Sequence, residues 1–344
     1  MALPTEQTQV VLVARPAPAV TADLFAVRRA PVPRPGPGEL LIQVLWLSID
    51  PAMRGWIADA PNYRPPVPLN EVMFGFTVGR VVESNHPDYV PGELVYGTQG
   101  WQEYAVSDGS DIDHKVDPAW GSPSAALGVL GHTGLTAYLG LLDVGQPKEG
   151  ETVLVTTAAG AVGSVVGQIA RLKGCRTVGL AGSDEKVRLC REFYGFDAAI
   201  NYRSAGDRLA DLVAEACPDG VDIFFDNVSG PLAEAVFPLL NTRARVVQCG
   251  TIGIASDGSA NGPRPGRTVL AKRIRWEGFL VLDHFDAFPR ALADLGRWVA
   301  DGRIRHREDV VEGLASAPDA LCGMLAGRNL GKVVVKVARD TAKA

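Results

Sequence analysis

The sequence predicts an α/β protein in which a β-rich first part is followed by a doubly wound parallel sheet. Short apolar runs alternate with Pro/Gly clusters up to about residue 127, and strand and helix patterns alternate from Glu151 onward. A glycine-rich turn also follows the first strand of the second part. A chain of 344 residues, 47% of them hydrophobic, is long enough to bury two cores.

The first part contains apolar runs such as VVLVA, ELLIQVLWL and VGRVV. Between them stand turn-rich segments such as PVPRPGPGE, PNYRPPVP and HPDYVPGE. Proline and glycine at this density exclude long helices, so the pattern predicts short strands in a compact barrel or sandwich.

In the second part, the first five candidate strands start 22 to 24 residues apart, which is the length of one strand plus one crossover helix. This regularity predicts a parallel sheet of six strands. The strands are expected to start near Thr152, Arg176, Ala198, Val221, Ala244 and Ile274.

Helix boundaries support the same interpretation. Val162, Val165, Val166, Ile169 and Ala170 form one apolar helical face after the first strand. Residues suited to helix ends follow at the expected places, namely Gly174 and Gly195 as C-terminal caps, Ser183 as an N-cap and Pro231 as a first helical residue. The final GKVVVKVA is again a strand pattern, which could return to the first domain.

The turn at residues 156–163, TTAAGAVG, is a variant of GxGxxG in which Ala158 replaces the first glycine. It follows an apolar strand and opens an amphipathic helix. Small residues there let the backbone approach a pyrophosphate lying at the helix N-terminus, so the turn predicts a dinucleotide site.

The second strand ends in Leu180-Ala181-Gly182-Ser183 and has no carboxylate at the position that usually binds the ribose of NAD. A small neutral end leaves room for a 2′-phosphate, and Lys186 could reach it as a cation. The alternative is that Asp184 and Glu185 act only as helix caps and that Lys186 is solvated.

Composition excludes several other classes of protein. The formal charge of −5 and the absence of a long Lys/Arg run argue against nucleic acid or an anionic membrane as a partner. No apolar stretch approaches the length of a membrane span, and we expect a cytoplasmic protein. Five cysteines without a CxxC suggest neither a disulfide framework nor a cysteine-rich zinc site, and each is expected to be a small buried residue.

Several long runs, in the same order, resemble one known family. They are PGPGELLIQVLWLSIDPAMRG, GLTAYLGLLDVG, ETVLVTTAAGAVGSVVGQIARLKGC, SDEK, NYR, FDNVSG, CGTIG and GRNLGKVVVKV. Together they make nearly the whole chain similar to the leukotriene B4 12-hydroxydehydrogenase/prostaglandin reductase group of the medium-chain dehydrogenase/reductase superfamily, which includes curcumin reductases and alkenal double-bond reductases.

This resemblance implies a GroES-like substrate domain at residues 1–127, a Rossmann domain at 128–310, a C-terminal segment at 311–344 that returns to the first domain, and a homodimer. It also implies NADP(H) as the cofactor. The implied contacts are Gly160, Ala161, Val162 and Gly163, with Lys186 and Tyr202 at the 2′-phosphate, and Asn227, Cys249, Gly250, Thr251, Ile252, Gly253, Phe279, Leu280, Val281 and Asn329 around the remaining cofactor. Asn227 also suits a ligand contact because it ends the fourth strand, although a plain turn residue is the alternative.

No metal site is expected. The zinc-dependent relatives use a Cys, a His-Glu pair and a lobe of four cysteines in the N-terminal half, and this chain has none of them in place. His86, His114 and His132 are isolated in the sequence, and a lone histidine is more often packed or solvated than a ligand.

The resemblance implies reduction of the double bond of an α,β-unsaturated carbonyl by hydride transfer from NADPH to the β-carbon. Where relatives often carry tyrosines, this chain has Ala52 and Ala271, so the proton donor is open between Tyr63 and solvent. The nicotinamide ribose hydroxyl is a further candidate for polarising the carbonyl. Tyr63 could instead be a packing residue of its proline-rich loop. The alternatives for function are an NADPH quinone reductase and a nucleotide-binding protein without catalysis.

Overall fold

The computed structural model describes residues 3–17, 19–254 and 265–338. The chain divides into two compact units. The first contains Met1–Gly128 and Glu308–Ala344, and the second contains Val129–Arg307.

The strands, in chain order, are β1 (Glu6–Leu12), β2 (Phe25–Pro31), β3 (Leu40–Ser48), β4 (Thr77–Ser84), β5 (Leu94–Gly97), β6 (Tyr104–Ser107), β7 (Ile112–Lys115), β8 (Thr152–Thr156), β9 (Arg176–Ala181), β10 (Ala198–Asn201), β11 (Val221–Asp226), β12 (Leu240–Gln248), β13 (Arg275–Gly278), β14 (Glu308–Glu312) and β15 (Lys332–Lys336). The α-helices are α1 (Met53–Trp56), α2 (His132–Leu139), α3 (Gly163–Leu172), α4 (Asp184–Arg188), α5 (Tyr202–Ala205), α6 (Leu209–Ala216), α7 (Pro231–Val236), α8 (Gly266–Lys272), α9 (Phe288–Ala300) and α10 (Ala317–Leu325).

The first unit is built on a seven-stranded sheet in the order β14-β15-β3-β4-β5-β7, with β6 pairing separately with β3. β1 and β2 form an antiparallel pair beside it. The sequence GKVVVKVA forms β15, which pairs antiparallel with β3. A large part of the core lies around Trp101, which is fully buried and stacks on Phe25 with ring centroids 5.3 Å apart.

The second unit contains the predicted parallel sheet, in the order β10-β9-β8-β11-β12-β13. All of its pairings are parallel. This places the first strand, β8, in the middle. β9 and β10 are added on one side of it and β11 to β13 on the other, so the strand order reverses between β8 and β11, which is the doubly wound arrangement. The sequence therefore predicted the fold class correctly.

The fifth strand of this sheet begins at Leu240, four residues before the predicted start. The register with β11 shifts between Val221 and Ile223, and Arg243 has φ of 67°. The polar residues Asn241 to Arg243 hide the start of the strand because they interrupt its apolar pattern.

The predicted helix ends are present. Gly174 and Gly195 have φ of 76° and 75°, in the left-handed region where glycine has no steric cost. The Ser183 hydroxyl accepts a hydrogen bond from the Lys186 amide and caps α4. No helix within the described residues has the length and apolarity needed to cross a membrane.

Candidate functional site

The carboxyl ends of the six parallel strands in the second unit share one edge of the sheet, and the predicted cofactor residues of this unit follow those ends. The residues after β8, β9 and β10 are the glycine-rich turn, Lys186 and Tyr202. The residues after β11, β12 and β13 are Asn227, the segment 249–253 and the segment 279–281. Ligands of open α/β sheets bind at this edge.

The glycine-rich turn is tightly closed against α3. Thr157 has φ of 52°, and its carbonyl accepts a hydrogen bond from the Gly160 amide at 2.8 Å. A Cβ atom at Gly163 would lie 2.4 Å from the same carbonyl oxygen, so only glycine fits there. The N-cap residue of α3, Val162, provides no side-chain hydrogen bond to the first turn of the helix. A helix N-terminus that offers backbone N–H groups without a side-chain cap fits the anionic pyrophosphate of a dinucleotide.

The end of β9 is a second part of the candidate site. A Cβ atom at Gly182 would lie 3.0 Å from the Tyr202 hydroxyl and 3.4 Å from Nε of Arg203. The place where an NAD site carries a carboxylate is therefore occupied by a hydroxyl and a guanidinium group. Both groups suit a phosphate.

The side chain of Asn201 holds this region together. Its amide nitrogen donates to Asp184 Oδ1 at 2.8 Å, and its Oδ1 accepts from the backbone amide of Arg203 at 3.1 Å. The sequence interpretation missed Arg203. A signal was available, because Arg203 directly follows Tyr202 after the third strand of the sheet.

Asp226 organises the end of β11, although the sequence interpretation did not include it. The residue is fully buried, and its Oδ1 accepts hydrogen bonds from Thr156 Oγ1 at 3.1 Å and from the amides of Val228 and Ser229 at 2.9 and 3.0 Å. Burial raises the pKa of this carboxyl group, and the hydrogen bonds oppose the rise.

Asn227 links the ends of β8 and β11. Its amide side chain donates to the Thr156 carbonyl at 2.9 Å, and its backbone N–H donates to the Thr156 hydroxyl at 2.7 Å. Its position at the ligand-binding edge is therefore fixed by two bonds to one residue of the central strand.

The segment that follows β12 is hydrogen-bonded to the residues at the end of β11. The backbone amides of Cys249 and Gly250 donate to the Asp226 carbonyl at 2.8 and 3.1 Å, and the Gly253 amide donates to Val228 at 2.8 Å. The Phe279 amide donates to the Gln248 carbonyl at 3.0 Å. The backbone thus brings together Asn227 and the segments 249–253 and 279–281.

Three cysteines are buried, as expected, but Cys249 and Cys322 are partly exposed, so that prediction is wrong for two of the five. Cys249 is partly exposed because it directly follows the end of β12. Cys322 lies on α10, an amphipathic helix, at a position between its buried and its exposed face. Although Cys249 as a whole residue is partly exposed, its thiol group is enclosed by the protein, and this burial of the sulfur raises the pKa of the thiol to about 12, so the thiol is neutral near pH 7.

Tyr63 and Asn329 belong to the first unit. The Tyr63 side chain is half exposed, and its hydroxyl oxygen accepts a hydrogen bond from Trp56 Nε1 at 2.7 Å. The amide nitrogen of Asn329 donates to the Gly331 carbonyl at 2.7 Å, within the turn before β15. Ala52 precedes α1 and Ala271 lies in α8, so neither position supplies a hydroxyl group.

Within the described residues, no group of three or more His, Cys, Asp or Glu side chains has the arrangement to hold a metal ion. The arrangement of the second unit can hold a nucleotide.

Comparisons with known proteins agree with this arrangement. Residues 8–114 match a family described as the N-terminal domain of oxidoreductase, and residues 161–297 match one described as zinc-binding dehydrogenase. The chain is 46% identical to the NADPH-dependent curcumin reductase of Escherichia coli (strain K12), over 96% of each chain. It is 38% identical to the NADP(+)-dependent 2-alkenal reductase of Nicotiana tabacum, over 89% of each chain.

A solved structure shows the same similarity. The crystal structure of CurA from Vibrio vulnificus in complex with NADPH has a TM-score of 0.90 and 44% identity, and it covers 96% of this chain and 99% of its own. Similarity at this level over nearly the whole chain establishes the family. The chain belongs to the medium-chain dehydrogenase/reductase superfamily, in the leukotriene B4 12-hydroxydehydrogenase/prostaglandin reductase group.

Proposed function

We propose that this protein is an NADPH-dependent reductase that saturates the carbon–carbon double bond of an α,β-unsaturated carbonyl compound. The observation that carries the proposal is the end of β9, where Gly182 faces the Tyr202 hydroxyl and the Arg203 guanidinium instead of a carboxylate. This arrangement selects a cofactor with a 2′-phosphate. Relatives named as NADPH-dependent curcumin reductase, 2-alkenal reductase and (+)-pulegone reductase support the reaction class.

The residues present fit the cofactor. The turn at 160–163 would hold the pyrophosphate, Lys186, Tyr202 and Arg203 would hold the 2′-phosphate, and Asn227 with the segments 249–253 and 279–281 would contact the ribose and nicotinamide. Asn329 of the first unit is a further candidate contact. When bound, NADPH supplies the hydride for the β-carbon of the substrate.

The protein's own contribution is to orient the substrate and to stabilise negative charge on the carbonyl oxygen. We propose Tyr63 for the second task. The hydrogen bond from Trp56 uses a lone pair of the Tyr63 oxygen and not its proton, so it orients the hydroxyl as a donor. Such a donor can stabilise the developing oxyanion or protonate the α-carbon.

NADPH consumption against a panel of enones, enals, quinones and nitroalkenes tests the proposal. Product analysis should show a saturated carbonyl compound with its C=O group intact. Preferential turnover of quinones would favour a quinone reductase, and NADPH binding without turnover of any compound would favour a nucleotide-binding protein without catalysis.

We also propose that the protein is a homodimer that works in the cytoplasm. The edge strand β13 is exposed, and Trp276 on it has 40% of its surface accessible, which suits pairing with a second copy. Five free cysteines suit a reducing compartment. The mass in solution of wild type and Trp276→Glu would test the dimer, because a charge at this edge should oppose self-association.

A further inference from the structure

The side chain of Gln248 lies at the end of β12, between two neighbouring strands. In the register of the sheet, Gln248 is beside Asp226 of β11 and beside Gly278 of β13. All three residues are at the carboxyl ends of their strands, which form the ligand-binding edge. A glutamine at this position can form hydrogen bonds with groups on both sides of its strand.

Three hydrogen bonds hold the amide group of Gln248. Its nitrogen donates to the Gly250 carbonyl at 2.8 Å and to Asp226 Oδ2 at 3.4 Å. Its oxygen accepts from Trp276 Nε1 at 3.1 Å. An indole N–H can only donate, whereas a carbonyl and an ionised carboxylate can only accept, so these partners allow one orientation of the amide group. The side chain is therefore fixed at both its oxygen and its nitrogen.

Asp226 and Gly250 are directly connected to the candidate contacts for the nicotinamide half of the cofactor. Asn227 follows Asp226, and Gly250 belongs to the segment 249–253. The Gly250 amide donates to the Asp226 carbonyl at 3.1 Å, and a Cβ atom at Gly250 would lie 2.7 Å from the Asn227 carbonyl oxygen. By bonding to both residues, Gln248 fixes the spacing between Asn227 and the segment 249–253.

Trp276 holds Gln248 from the edge strand of the sheet. It pairs with Val246 of β12, so its side chain is on the same face of the sheet as the side chain of Gln248, two residues along that strand. The Trp276 ring packs on Phe237, with ring centroids 5.0 Å apart. The indole N–H is thereby directed at the Gln248 oxygen, and β13 is linked to the ends of β12 and β11.

We propose that Gln248 and Trp276 are positioning residues for the nicotinamide half of NADPH, because they hold Asn227 and the segment 249–253 at the spacing that this half requires. This inference rests on the proposed reductase function. A site that is already ordered binds its ligand more tightly, since less conformational freedom is lost on binding. The 2′-phosphate half follows β9 and β10, which are on the other side of β8 from β12. Loss of Gln248 should therefore weaken one half of the site and spare the other.

The test compares NADPH with adenosine 2′,5′-bisphosphate, which has the adenosine and the 2′-phosphate but lacks the nicotinamide and its ribose. Calorimetric titration gives the Kd of each ligand. Gln248→Leu removes the amide group, and it should raise the Kd of NADPH about fivefold to thirtyfold, the effect of losing a hydrogen bond within the site. The Kd of the bisphosphate should be unchanged.

Asn241→Leu is the matched control. Asn241 has an amide side chain at the opposite end of β12, and its nitrogen likewise donates to a carboxylate and a carbonyl, those of Asp222 at 2.8 Å and Asp219 at 2.9 Å. The control should therefore lose stability in the same way as Gln248→Leu, as measured by thermal unfolding. It should bind both ligands with the affinity of wild type, because its hydrogen bonds are far from the ligand-binding edge.

Trp276→Phe keeps an aromatic ring and removes the N–H group. It should raise the Kd of NADPH less than Gln248→Leu does and leave the Kd of the bisphosphate unchanged, because the Gln248 nitrogen keeps its own acceptors. This variant decides the question if Gln248→Leu does not fold, and an unchanged Kd of NADPH in it would then overturn the inference.

Equal losses of affinity for the two ligands in Gln248→Leu would overturn the inference, because they would show a general structural role. An unchanged Kd of NADPH in Gln248→Leu would overturn it as well. A wild-type protein that bound NADPH but reduced no unsaturated carbonyl compound would contradict the proposed function and not the positioning role, so the two failures are distinguishable.

Discussion

Nζ of Lys332 lies 2.5 Å from Oδ1 of Asp50, and both residues are buried. The same ammonium donates to the Ile49 carbonyl at 2.9 Å, and the Ser48 hydroxyl donates to the other carboxylate oxygen of Asp50. This ion pair joins the start of β15 to the turn after β3. It therefore fixes the C-terminal segment of the first unit to the loop that carries the sequence DPAMR.

We expect Lys332→Met to lower the free energy of unfolding by about 3–5 kcal/mol, because it leaves the Asp50 carboxylate buried without its partner. Urea unfolding gives the measurement. The double variant Asp50→Asn/Lys332→Met should lose less than the sum of the single variants. Lys336→Met is the control on the same strand, where an exposed pair with Glu312 at 3.4 Å should contribute at most about 1 kcal/mol. Equal losses at both lysines would contradict this account.

Lys186→Ala and Arg203→Ala should each weaken NADPH binding by about tenfold to a hundredfold and leave NADH binding nearly unchanged, because each removes a charge-assisted contact to the 2′-phosphate. Calorimetric titration with both cofactors provides the measurement. Lys173→Ala, an exposed lysine at the far end of α3, is the control. If both cofactors lost affinity equally, the assignment of the 2′-phosphate site would be wrong.

Tyr63→Phe should reduce kcat on the best enone by about tenfold to several hundredfold, with a smaller rise in KM, because the lost hydrogen bond forms mainly in the transition state. Tyr89→Phe, a tyrosine beside Lys115 in the same unit, serves as the control. An unchanged kcat in Tyr63→Phe would show that Tyr63 is a packing residue and that the proton comes from another source.

We expect turnover to be independent of metal ions. Activity after prolonged treatment with a strong chelator should equal that of the untreated enzyme, and elemental analysis should find no stoichiometric zinc. Loss of activity on chelation, restored by added zinc, would contradict this prediction.

The Tyr138 hydroxyl donates to Asp294 at 2.6 Å, and burial, followed by this bond, raises the pKa of Tyr138 from 10.0 to about 12. A raised pKa means that the folded protein retains the phenol proton more strongly than the unfolded chain does. The resulting contribution to stability is present below pH 10 and is lost as the pH rises toward about 12. Ultraviolet titration should therefore show in wild type one phenol that ionises at a higher pH than an ordinary tyrosine, and this phenol should be missing from the titration of Tyr138→Phe. Ionisation of that phenol near pH 10 would contradict the prediction.

The periodic patterns of the sequence were sufficient to predict the parallel sheet, because strand spacing and helix ends are local properties of the chain. The edge where a cofactor would bind followed from the same reasoning, since parallel strands end on one side. The start of β12 could not be predicted from the sequence. It is determined by the pairing of Leu240 with Val221 of β11, and the local residue pattern does not show this pairing.

Contacts between residues far apart in the chain were decided by the tertiary structure. Asp226 joins the ends of three strands through Thr156 and Gln248, and Arg203 comes beside Gly182 only when β10 pairs with β9. Lys332 meets Asp50, 282 residues away, only because β15 pairs with β3. Local patterns carry no information on which distant side chains meet, because those meetings depend on strand order, register and the burial of each polar group, and these become definite only when the sheets are assembled.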